Sequence, residues 1–265
     1  MKKVYICSDS VTGIFSAIYD AWKAALKTEQ LGIRLNTEYY GIALKGMVEQ
    51  ELFCEYVESD ERMSKVMAVE KLIQKHLGSQ AYWCIYHAIL SNDPQKADAV
   101  LGMMLEARNI PISTKIMEHL SHPKVQKVFE LSRKVANEVH SFKEFIRFEE
   151  LQNGILFSEI APKYQILVCL GDYFQNRFPM ENWMIYDKTH QMFLVHEKQK
   201  HWIVALNQKI DIEKAKQVSR SEAVYAKLWK GFFESISIKE RESYERQRQH
   251  FPLKYRKHVT EFKKT

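Results

Sequence analysis

The chain has 265 residues, of which 46% are hydrophobic and 12% aromatic. That is enough for one large domain or two modest ones, each with a core of its own. No run approaches the roughly 18 consecutive apolar residues that a membrane helix needs, so no membrane contact is expected. The opening MKKVYICSDS carries too short an apolar stretch for a secretory signal. Cys7, Cys54, Cys84 and Cys169 lie far apart among apolar neighbours, and no CxxC pair exists. This argues against a zinc ribbon and against a disulfide framework. The expectation is four reduced thiols, a cytoplasmic location, and neither metal nor cofactor. The net charge of +6 is unevenly spread: residues 213–265 hold 14 Lys and Arg against 7 Asp and Glu, so the first 212 residues sum to −1. A basic segment on a near-neutral body suits a polyanion partner, and it equally suits a lysine-rich solvated helix.

In chain order, residues 4–7 read as a strand running into Ser8, Asp9 and Ser10. From Gly13 an apolar pattern of helical period follows through Ile14, Ile18, Ala21, Trp22 and Ala25. Residues 52–57 suit a second strand. Residues 60–140 are mostly helical in pattern, with Asp93-Pro94 a helix start and Pro111 and Pro123 punctuating further helices. The texture then changes. Phe142, Phe145, Ile146 and Phe148 read as an aromatic strand, and residues 154–160 as another. A helix follows Pro162. Residues 183–186, 192–196 and 202–206 suit short strands in an antiparallel meander. The chain closes on a helical pattern in which Val224, Leu228, Phe232 and Ile236 share a face, widened by Trp229 and Phe233. The reading is an α+β fold in two regions. Residues 1–138 form a largely helical part that opens with a strand. Residues 139–265 form a small antiparallel sheet packed by helices.

Several constellations could carry chemistry. The strand–turn–helix at residues 4–25 could hold a phosphate on free amides. It has no GxGxxG and no Walker-type lysine, so ordinary capping by Ser8, Asp9, Ser10 or Thr12 explains it too. His119 and His122 are three apart, close enough to share a metal, but no HExxH accompanies them and Pro123 is expected to end their helix. His140, Arg147, Asp187 and His190 are the catalytic candidates. Arg147, read as a strand arginine among apolar residues, needs an anionic partner or a wet face. That partner is either a bound phosphate or carboxylate, or an internal acid such as Glu149, Glu159 or Asp187. The nucleic-acid-binding candidates are Arg147, Arg177, Arg241, Arg248, Lys254, Arg256 and Lys257, since phosphate contact needs cations and not a fixed spacing. Trp229 and Phe233 could stack on bases, but their helical spacing suits core packing.

Three blocks carry a family resemblance: CSDSVTGIFSAIYDAW (residues 7–22), VHSFKEFIRFEELQNGILFSEIAPKY (139–164, continuing through residue 187), and LWKGFFESISIKER (228–241) followed by FPLKYRKHVTEF (251–262). Together, and in this order, they resemble a bacterial family of probable DNA-metabolism proteins. The resemblance implies a neighbour of a radical-SAM protein that modifies or repairs DNA. Some relatives also carry a uracil-DNA glycosylase-like domain, which has no counterpart in these residues, so no glycosylase activity is inferred. This chain holds no cysteine triplet suited to an iron–sulfur cluster. Tyr173, His190 and Ser243 stand where relatives tend to have His, Arg and Asn. That puts in doubt any role that depends on those side chains. The leading expectation is a DNA-binding accessory factor in repair or modification, partnered by a radical-SAM enzyme. The alternatives are a hydrolytic enzyme on nucleic acid built around His140, Arg147, Asp187 and His190, or a scaffold without nucleic-acid contact.

Overall fold

The computed structural model describes residues 1–30, 39–48, 51–206, 219, 222, 224, 225, 227, 228, 251–256 and 259. The fold is α+β, as expected. The chain divides into two compact units, Met1–Ala136 and Asn137–Thr265.

The first unit runs β1 (Lys2–Cys7), α1 (Val11–Gln30), β2 (Tyr40–Leu44), β3 (Cys54–Glu58), α2 (Met63–Ile89), α3 (Lys96–Glu106), a 3-10 turn over Ser113–Glu118 and the first part of α4 (Pro123–Phe145). β1 lies at the centre of a three-stranded sheet of order β2-β1-β3, with both pairings parallel. The expected opening strand is therefore the middle of a sheet. β3 falls where residues 52–57 suggested it, while β2 was not anticipated. α1 packs Ile14, Phe15, Ile18, Ala21 and Ala25 into the core, none more than 1% exposed. Ser10 starts this helix: its Oγ accepts the Gly13 N–H at 2.9 Å, which satisfies one of the four amides that a helix N-terminus leaves without a partner. Gly13 is required there, because a Cβ would stand 2.8 Å from the Ser8 carbonyl oxygen and 3.0 Å from Glu61 Oε1.

α2 is two helices joined at Gly78, whose φ of 84° and ψ of 170° lie in a region that costs an L side chain heavily. At the start of α3 sits Lys96, whose side chain is 1% exposed and whose Nζ lies 2.6 Å from Asp9 Oδ1. The same ammonium donates to the Ser91 carbonyl. α3 also guards the sheet edge. Asp98 Oδ1 accepts the Ile42 N–H of edge strand β2 at 3.3 Å, and Lys124 pairs with the other oxygen of that carboxylate.

The second unit contains the end of α4, β4 (Glu149–Glu150), β5 (Leu156–Ile160), α5 (Leu167–Arg177), β6 (Trp183–Asp187), β7 (Met192–His196), β8 (Ile203–Leu206) and the short helix α6 (Leu253–Arg256). The sheet order is β4-β5-β6-β7-β8. β6, β7 and β8 form the antiparallel meander, but β5 joins β6 in parallel, because α5 crosses over between them. The sheet is thus mixed, where an antiparallel one was expected.

The aromatic strand expected at residues 142–148 is a correction. Phe142 and Phe145 lie in the last turns of α4 and Arg147 in the loop after it. Their spacing of three is helical, and it sets both rings against Tyr255 of α6 at 5.0 and 5.2 Å. Glu138, buried in α4, accepts the N–H groups of Lys163 and Tyr164 at 3.0 and 2.9 Å, fixing the β5–α5 loop. Val224 and Leu228, expected on a packed face, are exposed. The rest of that face, Phe232, Ile236, Trp229 and Phe233, lies outside the described residues. No helix of the described residues is long and apolar enough to cross a membrane.

The four cysteines are free thiols. Burial pushes the Cys7 and Cys169 thiols up to about 12, with Glu61 and Asp9 adding to the effect at Cys7 while Lys143 opposes it at Cys169. Burial raises Cys84 as well. Because the thiolate is the reactive form, a disulfide reagent at pH 8 should modify half-buried Cys54 first. Cys7, Cys84 and Cys169 should react only on unfolding, as read by mass spectrometry of the time course.

α5 and Trp202 supply a packing test. A Cβ on Gly171 would run into the Trp202 ring, with Nε1 2.7 Å away, while that Nε1 donates to Asp172 at 2.7 Å. Gly171→Ala should destabilise by about 1–3 kcal/mol through overpacking. Combining it with Trp202→Leu should cost less than the two single changes added together, measured by urea unfolding.

Candidate functional site

The N-terminal turn is occupied by its own side chains. Ser8 Oγ and Ser10 Oγ lie 2.8 Å apart, and Glu61 Oε1 accepts the Ser8 N–H at 3.3 Å. Asp9 is committed to Lys96. Two carboxylates beside the helix start repel an anion, so the geometry is that of capping. His119 closes the 3-10 turn, and His122 precedes α4, its carbonyl accepting the Gln126 N–H. Pro123 therefore opens α4, as the pattern from Val125 onward indicated, while the residues before it form a 3-10 turn and not the helix expected to carry His119 and His122. A first-turn proline sacrifices no helical hydrogen bond. His122 Nε2 lies 3.8 Å from Glu106. Among the described residues no group of three or more metal-ligating side chains gathers.

Of the four catalytic candidates, two come together. Asp187, wholly buried at the end of β6, holds His190 Nδ1 at 2.6 Å through Oδ2. Its Oδ1 accepts the N–H groups of Thr189 and His190 at 2.9 and 3.1 Å. This carboxylate organises the β6–β7 hairpin turn, as Asp commonly does by bonding backbone two or three residues on. The turn ends at Gln191 with φ of 55°. Nδ1 donates to the carboxylate, which leaves Nε2 as the remaining nitrogen of a partly exposed ring. His140 stands on α4, largely exposed, 3.1 Å from Glu144. Arg147 is exposed, and its Nη1 donates to the carbonyls of Glu144 and Ile146 at 2.8 and 3.1 Å, capping the end of α4. No hydrogen bond or ion pair joins either of them to Asp187 or His190.

The basic candidates divide similarly. Arg241, Arg248 and Lys257 lie outside the described residues, as does the side chain of Lys254. Arg256 folds back onto the Phe251 ring at 5.8 Å. Arg177 is exposed at the end of α5, 5.7 Å over the Phe178 ring, with Nη1 3.5 Å from the Tyr173 hydroxyl. The sequence missed its neighbour Lys143, whose Nζ lies 5.4 Å over the Tyr173 ring. Tyr173 thus carries one cation over its face and another at its hydroxyl. Neither has a carboxylate partner among the described residues. Arg147 joins this neighbourhood through the backbone, since the rings of Phe148 and Phe178, each following one of the arginines, are 5.5 Å apart. Behind these rings lie two buried polar atoms without partners among the described residues, Trp183 Nε1 and His196 Nε2. The two rings stack 5.0 Å apart, and His196 Nδ1 donates to the Glu181 carbonyl.

These features define an α+β protein with a cation- and aromatic-bearing helical face and, among the described residues, no assembled catalytic constellation. Residues 94–261 match the model of a domain of unknown function, DUF4130, and the chain belongs to that family. No curated protein matches it in sequence.

The Asp187 geometry is directly testable. Asp187→Ala removes three hydrogen bonds from a buried carboxylate and should destabilise by roughly 2–4 kcal/mol. His190→Ala should cost no more than about 1 kcal/mol, because the turn amides keep their acceptor. Urea midpoints that rank the two variants the other way would contradict the turn role.

Proposed function

We propose that this chain is a nucleic-acid-binding accessory protein in DNA metabolism, and that the second unit meets the phosphate backbone with the end of α4 and the outer face of α5. One observation carries the reading: Lys143 and Arg177 converge on Tyr173, with no acid partner among the described residues. Cations left unpaired around an aromatic ring suit phosphates and stacked bases alike. Arg147 extends the face, and the reading adds the basic C-terminal residues Arg241, Arg248, Lys254, Arg256 and Lys257 as further phosphate contacts. The nearby Glu144 lies against His140 and Asp172 accepts from Trp202, and neither forms an ion pair with the two cations. The wider role, repair or modification of DNA beside a radical-SAM enzyme, is supported by the resemblance of residues 7–22, 139–187 and 228–262. Where relatives tend to have a histidine, Tyr173 supplies a larger stacking surface.

Binding of labelled single- and double-stranded DNA, titrated at several salt concentrations, tests this. Each phosphate contact contributes roughly 0.9 to the slope of log affinity against log salt for duplex, and about 0.7 for single strands. Lys143→Gln with Arg177→Gln should flatten the duplex slope by about 1.8 and weaken binding irrespective of base sequence. Stability should hold, because Arg177 is exposed, Lys143 is half-buried, and neither forms an ion pair among the described residues. Undetectable binding at low salt, or a slope untouched by the double change, would remove this face as the site.

A further inference from the structure

We propose that the cleft bounded by α1, the break in α2 and the end of α3 is a binding site for a small uncharged apolar molecule bearing a hydroxyl. The cleft has a volume of about 410 Å³, within the range of small-molecule sites. Its floor and walls are apolar: Trp22 and Leu26 from α1, Leu72 and Leu77 from α2, Met104 from α3 and Ala107 just beyond it. It exists because α2 breaks. Leu72, His76 and Leu77 lie in the last two turns before Gly78, and the φ of 84° there redirects the chain, where a straight helix would carry the next turn onward.

The rim decides the class of ligand. Its polar members are His76, Arg108 and Ser113. Arg108 stacks 5.6 Å over the Trp22 ring, and its Nη2 donates to Glu29 at 2.7 Å. That pair is already neutral, so a second carboxylate would enter without a counter-charge of its own. The lining also comes from the C-terminal ends of helical segments: Leu77 ends the first half of α2, and Ala107 and Arg108 follow the end of α3. Helix C-termini carry partial negative charge, which opposes anions. A hydroxyl meets no such opposition. It can accept from the Arg108 Nε–H and Nη1–H, which have no partner among the described residues, and exchange a hydrogen bond with Ser113. The apolar body of the ligand covers Leu26, Leu72 and Met104, and burial of that surface supplies the affinity.

The full chain would be titrated with N-phenyl-1-naphthylamine, a neutral dye that brightens in apolar sites, and the dye displaced with decan-1-ol or decanoate. The expected result is saturable dye binding, displaced by decan-1-ol at a concentration at least about ten-fold below that of decanoate. Leu26→Trp and Ala107→Leu, which fill the cleft from opposite sides, should each weaken dye binding at least about ten-fold. Thermal unfolding identifies which variant is folded, and one folded variant suffices. Absent dye binding, binding unchanged in a folded cleft-filling variant, or decanoate displacing as well as decan-1-ol would each overturn the proposal.

Discussion

The first unit depends on a buried ammonium. At 1% exposure, Lys96 has surrendered its hydration shell, a loss of several kcal/mol unless replaced. The replacement comes from two places far apart in sequence: the carboxylate of Asp9, just past β1, and the carbonyl of Ser91, just past α2. The loop that starts α1 is thereby pinned to the loop that starts α3, which holds α3 beside β2. Asp9 itself is about a third exposed. The buried partner is the one that cannot do without the bond, since a released Asp9 can return to water and a released Lys96 cannot.

The second unit uses carboxylates for the corresponding task. Glu138 gathers two amides of the β5–α5 loop, and Asp187 gathers two amides and an imidazole at the β6–β7 turn. Both anions face polarised N–H groups in a poorly solvated setting, where such charge-assisted bonds are short and strong. Each fixes a connection on one side or the other of β6. The parallel pairing of β5 with β6 and the antiparallel hairpin that follows can therefore coexist in one sheet.

Part of this was legible in the sequence. The opening strand and α1 were, because Ile14, Ile18, Ala21 and Ala25 keep a strict helical period and all are buried. The meander was legible because short β-branched and aromatic runs alternate with turn residues. β2 was not. Its YGIAL run is too short to separate from other apolar pentads, and its strand character comes from pairing with β1, a non-local event. The end of α4 was misread because phenylalanines favour strands, while a tertiary partner, Tyr255, rewards their helical spacing instead. The same limit governs the candidate face. Asp187 and His190 are three apart, so their contact could be suspected. Lys143 and Tyr173 belong to different helices, and only folding brings them together. Membership of the DUF4130 family covers α3, α4 and the second unit through residue 261, and so includes that face.

The guarded edge of β2 has a consequence for how this protein behaves in company. A sheet edge with free N–H and C=O groups is a template on which another chain can add a strand. Here the Asp98 carboxylate already occupies the amide of Ile42, at the middle of that edge. An incoming strand would have to strip Asp98 of both its amide and its bond to Lys124, leaving a desolvated anion in the new seam. The β2 side of the short parallel sheet is thus closed to a further strand by a single acid, and crowding alone does not turn that edge into the seed of a fibre.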